Sequence, residues 1–447
     1  MPYNVSFISL GCAKNQVNCE QMMATVQHAG HNVVLSPEGA DVAVVNTCGF
    51  LASACEEAID NILEMAALKK EGKLKKIIVT GCMAQRYKDD VLHELPEVDA
   101  VLGTGSYGEI ARAVDEVMAP GGLRPCYMGD IQNCVQGGAR ILSTPSWYAY
   151  LRIAEGCDNC CAYCVIPRLR GRYRSREMAS LLEEARALSD AGVKELIVIA
   201  QDITKYGMDL PEHKRLLPEL LRELCKMDFT WIRLHYLYPD QITDELIDVI
   251  ADEPKIVKYL DIPLQHVSKR ILRAMHRPGD GAEFTRLIED MRERIPGLVL
   301  RTSLIVGLPG ETEDEFAELC EFLQNVGIER VGVFEYSPEE GTEAAELPDQ
   351  IDDETKQNRR LIVEELQSGV LDDYNTSRHG EVMQVLCEGF DEEQGLWYGR
   401  TYADSVEVDG HVYFDAADNE PAEGEFVSVL ITESLGPDLL GVRQKEA

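Results

Sequence analysis

The sequence predicts an α/β chain in three parts: an N-terminal βαβ domain with a parallel sheet, an incomplete (βα)6 barrel of TIM type, and a small C-terminal antiparallel β-barrel of OB-like kind. Three observations carry this prediction. Apolar strand runs alternate with helical stretches over residues 1–118, six further strand–helix units follow over 143–374, and short β-like runs parted by Gly, Asp and Asn turns fill 377–443. A chain of 447 residues also exceeds what one hydrophobic core organises.

In the first part, the runs Val5–Leu10, Val42–Val45 and Ile77–Thr80 read as buried parallel strands, with helical stretches Gln16–His28 and Cys55–Leu68 between them. Each strand leads into a loop with a cysteine beside a glycine: Gly11-Cys12, Cys48-Gly49 and Gly81-Cys82. Carboxyl ends of parallel strands share one edge, so the three loops can converge. Residues 119–146, rich in Gly, Pro and Ser, read as a linker or irregular crossing segment. The barrel strands are Tyr148–Ile153, Glu195–Ala200, Trp231–Leu237, Tyr259–Leu264, Val299–Val306 and Arg330–Tyr336, and their chemistry belongs at their carboxyl ends. Helix Asp353–Asp373 connects to the last module, with β-like runs at Val382–Leu386, Leu396–Thr401, His411–Phe414 and Glu425–Thr432.

The formal net charge is -35, and residues 380–443 hold 15 acidic residues against Arg400 and Arg443 alone, so this module carries 2 − 15 = −13. Such a field opposes nucleic acid and acidic lipid and attracts a basic partner. No apolar run is long enough for a bilayer, and the start MPYNVSFISLGC lacks a secretory signal, so a cytoplasmic location without membrane contact is expected. In such a reducing compartment, 14 cysteines suggest metal ligands more than disulfides.

The central signal is Glu155-Gly156-Cys157-Asp158-Asn159-Cys160-Cys161-Ala162-Tyr163-Cys164. Cys157, Cys161 and Cys164, at C-x3-C-x2-C spacing after the first barrel strand, can wrap a cubane and leave one iron open. That iron can take the amino and carboxylate groups of S-adenosylmethionine and pass an electron to its sulfonium, giving a carbon radical. A zinc site wants four ligands, usually as two separated pairs, and disulfides suffer from crowding and compartment. Cys160 fits no ligand position. Cys12, Cys48 and Cys82 fit a second three-thiolate cluster, and equally three buried packing cysteines.

At the barrel motif the chain resembles the radical S-adenosylmethionine superfamily. That resemblance implies cofactor contacts at Tyr163, Gln201, Asp202, Ile305 and Gly307, the last two within LIVGLPGE. The strings SLGCAKNQVNCE, NTCGFLASACEEAID, VTGCMAQRY and ELPEVDAVLGTG, followed by EGCDNCCAYCVIPRLRGRYRSR, resemble the methylthiotransferase family across nearly the whole chain. The resemblance implies two [4Fe–4S] clusters, the auxiliary one on Cys12, Cys48 and Cys82, and a C-terminal TRAM module. It also implies that one S-adenosylmethionine methylates cluster sulfide while a second yields the radical that opens the substrate to the methylthio group, with an electron donor that the sequence does not identify. No side-chain acid or base is assigned. Cys19, Cys55, Cys126, Cys134, Cys225, Cys320 and Cys387 match no ligand position and are expected to pack.

The strings AQDITKYG, LHYLYP, LDIPLQH, MHRPG and GRTYADSVEVDG resemble the branch acting on an aspartate of ribosomal protein S-twelve, the alternative being a tRNA adenosine. A module at −13 repels a phosphate backbone and steers a basic ribosomal protein, which favours the former. The run Arg168, Arg170, Arg172, Arg174, Arg176 either orients a substrate carboxylate or, as expected here, forms a strand edge answering the acidic surplus.

Overall fold

The computed structural model describes residues 2–121, 123–133, 137–416 and 419–444; Cys134 and Asp418 lie outside them. The first sheet contains β1 (Asn4–Ser9), β2 (Asn32–Val34), β3 (Val42–Thr47), β4 (Lys76–Gly81), β5 (Ala100–Leu102) and β6 (Cys126–Tyr127), all parallel in the order β2-β1-β3-β4-β5-β6. Helices Ala13–His28 and Ile110–Met118 cover one face and Ala52–Lys70 the other, which explains why β3 is buried along its whole length. The strand order reverses between β1 and β3, so the loops carrying Cys12 and Cys48 flank the crevice that such a switch creates. Cys126–Tyr127, within the stretch expected to be a linker, pairs with β5 as the sixth strand.

The second sheet runs β7 (Tyr148–Arg152), β10 (Glu195–Ile199), β11 (Trp231–Leu234), β12 (Ile256–Asp261), β13 (Val299–Val306) and β14 (Arg330–Glu335), all parallel and in sequence order. A two-residue ribbon, β8 (Ala154–Glu155) with β9 (Arg174–Ser175), sits above β7. Alternate residues such as Leu151, Leu196, Val198 and Leu234 pack outward on the helices, while Tyr148, Tyr150, Ile197 and Ile199 face inward. Helix Glu313–Val326 has sharp bounds because Thr312 and Glu315 form a capping box and Gly327 closes it in the left-handed conformation.

Helix Asp353–Ser377 leads to the closed C-terminal barrel of β15 (Val382–Asp391), β16 (Leu396–Arg400), β17 (Val412–Asp415), β18 (Phe426–Leu435) and β19 (Asp438–Arg443). Four of its pairings are antiparallel, and a parallel pair, β17 with β19, closes it. This module docks on the amino ends of the large barrel. Arg400 reaches Glu195 at 2.7 Å, Arg330 reaches Asp404 at 2.8 Å, and inside the lumen Tyr259 donates to Asp409 and Ser405 meets His235. Asp404, Asp409 and Glu388 are therefore spent on internal contacts, while Glu392, Glu393, Asp415, Glu420, Glu423 and Glu433 stay exposed. The N-terminal domain closes the opposite, carboxyl end. Among the described residues no helix is long and apolar enough to cross a membrane.

Candidate active site between the two cysteine loops

Close backbone approach gathers the first trio. A Cβ on Gly11 would lie 2.7 Å from the Cys48 Cβ, and one on Gly49 would lie 2.5 Å from the Met83 nitrogen, so the Cys12, Cys48 and Cys82 loops touch through glycine. Asn15 pins them: its amide donates to Leu10 and Thr47 carbonyls at 3.0 and 2.9 Å, and its own carbonyl accepts from Asn46 at 2.8 Å. Cys12 starts helix Ala13–His28, and its carbonyl accepts the first helical bonds. The residue is exposed at the start of the helix, while its thiol turns toward Lys14 and Arg170. Burial there would raise it, but the Lys14 ammonium and the Arg170 guanidinium prevail and hold it below the ordinary thiol range. Cys82 is enclosed, and burial pushes it up to about 11.

The second trio sits on the loop after β8. Cys157 donates its N–H to Gly171 at 3.1 Å, Cys164 donates to the Cys161 carbonyl at 3.0 Å, and Ala162 to Met275 at 3.1 Å. The Cys161 sulfur accepts from Arg277 at 3.7 Å and lies 3.4 Å from the Tyr238 hydroxyl, with the same guanidinium stacked 4.5 Å over the Tyr238 ring. Burial raises the Cys157 thiol to about 11 and the Cys164 thiol to about 12, with their cysteine neighbours adding to the shift. Cys160 points out to solvent from a left-handed backbone, φ +48°.

The two trios share one interface. Cys82 packs with Val165 and Leu169, which directly follow Cys164, and with Phe50, two residues past Cys48. A cavity of about 480 Å³ opens beside them, lined by Phe50, Leu51, Tyr163, Gln265, Ser303, Ile305 and Phe334. Arg170 bolts the halves together: it is 2% exposed, donates to Glu155 at 3.0 Å from the barrel side and to Asn15 at 2.6 Å and Asn18 at 3.2 Å on the other. Burial alone would raise the Glu155 carboxyl, but Arg170 and Arg152 bring it down to about 2. Glu339 adds a second bolt, meeting Arg86 at 2.7 Å and accepting from the Ala52 N–H.

Of the residues predicted to contact the cofactor, Tyr163 and Ile305 line the cavity. Gln201 donates to Glu155 at 2.9 Å and keeps a buried carbonyl oxygen without a protein partner. Asp202 spends its carboxylate on Asn159 at 3.1 Å and on Thr204, and so fixes the loop beside Cys157. Gly307 lies beneath the Lys356 side chain and donates its N–H to Glu311 at 2.6 Å. The arginine run is not one strand edge: residues 166–170 are helical, Arg170 and Arg176 turn inward, and Arg168 and Arg172 face solvent. Arg277 and Tyr238 belong to motifs seen in the sequence, but their contact with Cys161 had no local signal.

The donor chemistry is that of an iron–sulfur ligand set: each loop group offers three soft thiols, none in a disulfide. Among the described residues no three His, Cys, Asp or Glu side chains are drawn close enough to hold a single metal ion. A parallel (βα)6 sheet with C-x3-C-x2-C on the loop beyond its first strand defines the class of radical S-adenosylmethionine enzymes, and the Radical SAM superfamily model matches residues 151–323. The flanking parts match the models described as uncharacterized protein family UPF0004, over residues 4–103, and TRAM domain, over 380–443. The chain is similar to the ribosomal protein uS12 methylthiotransferase RimO of Lachnoclostridium phytofermentans, 48% identical over 98% of this chain and 100% of that one. It is also similar to the RimO of a Thermoanaerobacter species, 46% identical over 98% and 99%. The chain belongs to the RimO branch of the radical S-adenosylmethionine methylthiotransferases. The fold is also similar to that of TsrM from Kitasatospora setae, a radical S-adenosylmethionine methyltransferase, at TM-score 0.56 and 15% identity over 75% of each chain.

Proposed function

We propose that this chain attaches a methylthio group to the β-carbon of an aspartate in ribosomal protein uS12, the protein named for its relatives. In this reading Cys157, Cys161 and Cys164 hold one [4Fe–4S] cluster, Cys12, Cys48 and Cys82 hold another, and two S-adenosylmethionine molecules serve each turnover. When bound, these groups supply the methyl donor, the electron transfer and the radical chemistry that side chains lack. The modules responsible are 1–118, 143–374 and 377–443.

The observation that carries the reading is two thiol trios on loops that pack together beside one cavity, which Phe50 of the Cys48 loop and Tyr163 of the Cys161–Cys164 loop both line. A radical and a sulfur donor are useful together only within reach of one substrate atom, and away from water. Phe50, Tyr163, Ile305 and Phe334 supply the apolar part of the cavity's lining. Tyr163 and Ile305 frame the adenosine, Gln201 offers its free carbonyl oxygen to the cofactor, and Asp202 and Gly307 hold the surrounding loops in shape. The exposed carboxylates of the C-terminal module draw in a basic ribosomal protein and disfavour nucleic acid, in the cytoplasm where ribosomes are built.

Intact-mass measurement of uS12 from cells with and without this gene tests the reading. A methylthio increment that vanishes on deletion is expected. Unchanged uS12 beside loss of methylthioadenosine from tRNA would overturn it.

A further inference from the structure

The arginines that reach the inner face of the large barrel are each committed to a carboxylate. Arg152 and Arg170 share Glu155, Arg233 meets Glu195 at 2.6 Å, and Arg301 meets Asp261 at 3.2 Å. Lys14 enters the same space from the N-terminal domain and is different. It is 6% exposed, yet its ammonium makes no hydrogen bond or ion pair among the described residues; its nitrogen stands 2.9 Å from the centroid of the Tyr236 ring. A largely buried ammonium is costly unless acceptors stand in for its hydration; the charges of Cys12, Asp261 and Glu155 act on it through space, but one ring face satisfies none of its three donors by hydrogen bonding.

Its placement is built. Lys14 lies in the first turn of helix Ala13–His28, two residues past Cys12. Tyr236, just beyond β11, takes a left-handed backbone at φ +67°, held there by its N–H donating to Asp261 at 3.4 Å. A non-glycine residue keeps that conformation only where its surroundings enforce it, a common mark of functional sites. Asp261 is ion-paired with Arg301 and acts on Lys14 only through space, without a hydrogen bond to it.

We propose that Lys14 receives the side-chain carboxylate of the substrate aspartate and thereby sets the preference for an acid over an amide. The inference rests on the uS12 reading above. A carboxylate adjoining the β-carbon would supply the missing acceptor and hold the reacting carbon beside the Cys12 loop. Arg170 cannot take this part, since its donors are consumed by Glu155, Asn15 and Asn18.

The test uses reconstituted holoenzyme with uS12 and with uS12 whose target aspartate is replaced by asparagine. Wild type is expected to prefer aspartate strongly. Lys14→Met is expected to raise KM for uS12 on the order of 10- to 100-fold, the worth of one charge-assisted hydrogen bond, and to bring the two substrates close to parity. Its iron content should match wild type, and Lys14→Arg should keep the aspartate preference. An unchanged KM and preference in Lys14→Met would overturn the proposal. So would loss of about four irons per chain, which would make Lys14 a support of the Cys12 site instead. Wild-type enzyme that leaves uS12 unmodified would sink the functional reading itself, and the proposal with it.

Discussion

Replacing Arg170 by Met removes the guanidinium that joins Glu155 to Asn15 and Asn18 across the domain interface. The cost follows from Glu155, which is 1% exposed and whose carboxyl is brought from its ordinary 4.5 down to about 2. At about 1.4 kcal/mol per tenfold change in proton affinity, that displacement is worth about 3 kcal/mol, net of burial. Arg152 and Gln201 stay with Glu155 in the variant, so that figure is an upper bound for Arg170 on this route; taking one partner from a buried pair costs about 3–5 kcal/mol, and the loss is expected at about 2–3 kcal/mol. The carboxyl is depressed, so its contribution is complete above about 4.5 and is lost as pH falls toward 2. Urea unfolding of R170M beside wild type should show a constant deficit from pH 8 to 5 that narrows below about 4.5. Arg170→Lys should recover only part, since a point charge cannot fork to three acceptors. A deficit under about 0.5 kcal/mol at pH 7, or one that widens in acid, would refute the reasoning.

Gly49→Ala drives a Cβ to 2.5 Å from the Met83 nitrogen, so the Cys48 and Cys82 loops must part; iron assay should fall by about four per chain while the barrel site still cleaves S-adenosylmethionine to 5′-deoxyadenosine. Cys160→Ser should keep full iron content and the same 5′-deoxyadenosine yield, because this thiol faces solvent. Glu195→Gln leaves the buried guanidinium of Arg233 with backbone carbonyls alone and Arg400 with Glu388, and should cost about 3 kcal/mol, seen in urea unfolding and as faster proteolysis near residue 377.

Much of this architecture was legible because long apolar runs and repeated βα units are strong local signals. The elements that escaped are short: β2 and β5 have three residues each, β6 has two, and β19 alternates poorly because half of it faces solvent. Their pairing is decided by neighbours, which periodicity does not encode. The six cysteines of the two trios stood out because motif spacing and strand-end position are sequence properties. Arg170 and Lys14 did not, because their meaning comes from partners far along the chain: Glu155 and Asn15 for one, Tyr236 for the other. The alternating arginines suggested a strand, whereas Pro167 in the first turn starts a helix that turns Arg170 inward.

The docking of residues 400–409 into the amino end of the large barrel makes the C-terminal module part of the barrel's own interior. Cutting the chain near 377 would strip Arg400 from the Glu195–Arg233 pair, Ser405 from His235 and Asp409 from Tyr259, and leave all four facing an open lumen. The module that meets the outside world is thus also the floor beneath the reaction chamber. Exchanging it for a counterpart with another surface charge would demand matched changes at those four barrel positions, so the charge of this surface and the integrity of the barrel are inherited as one unit.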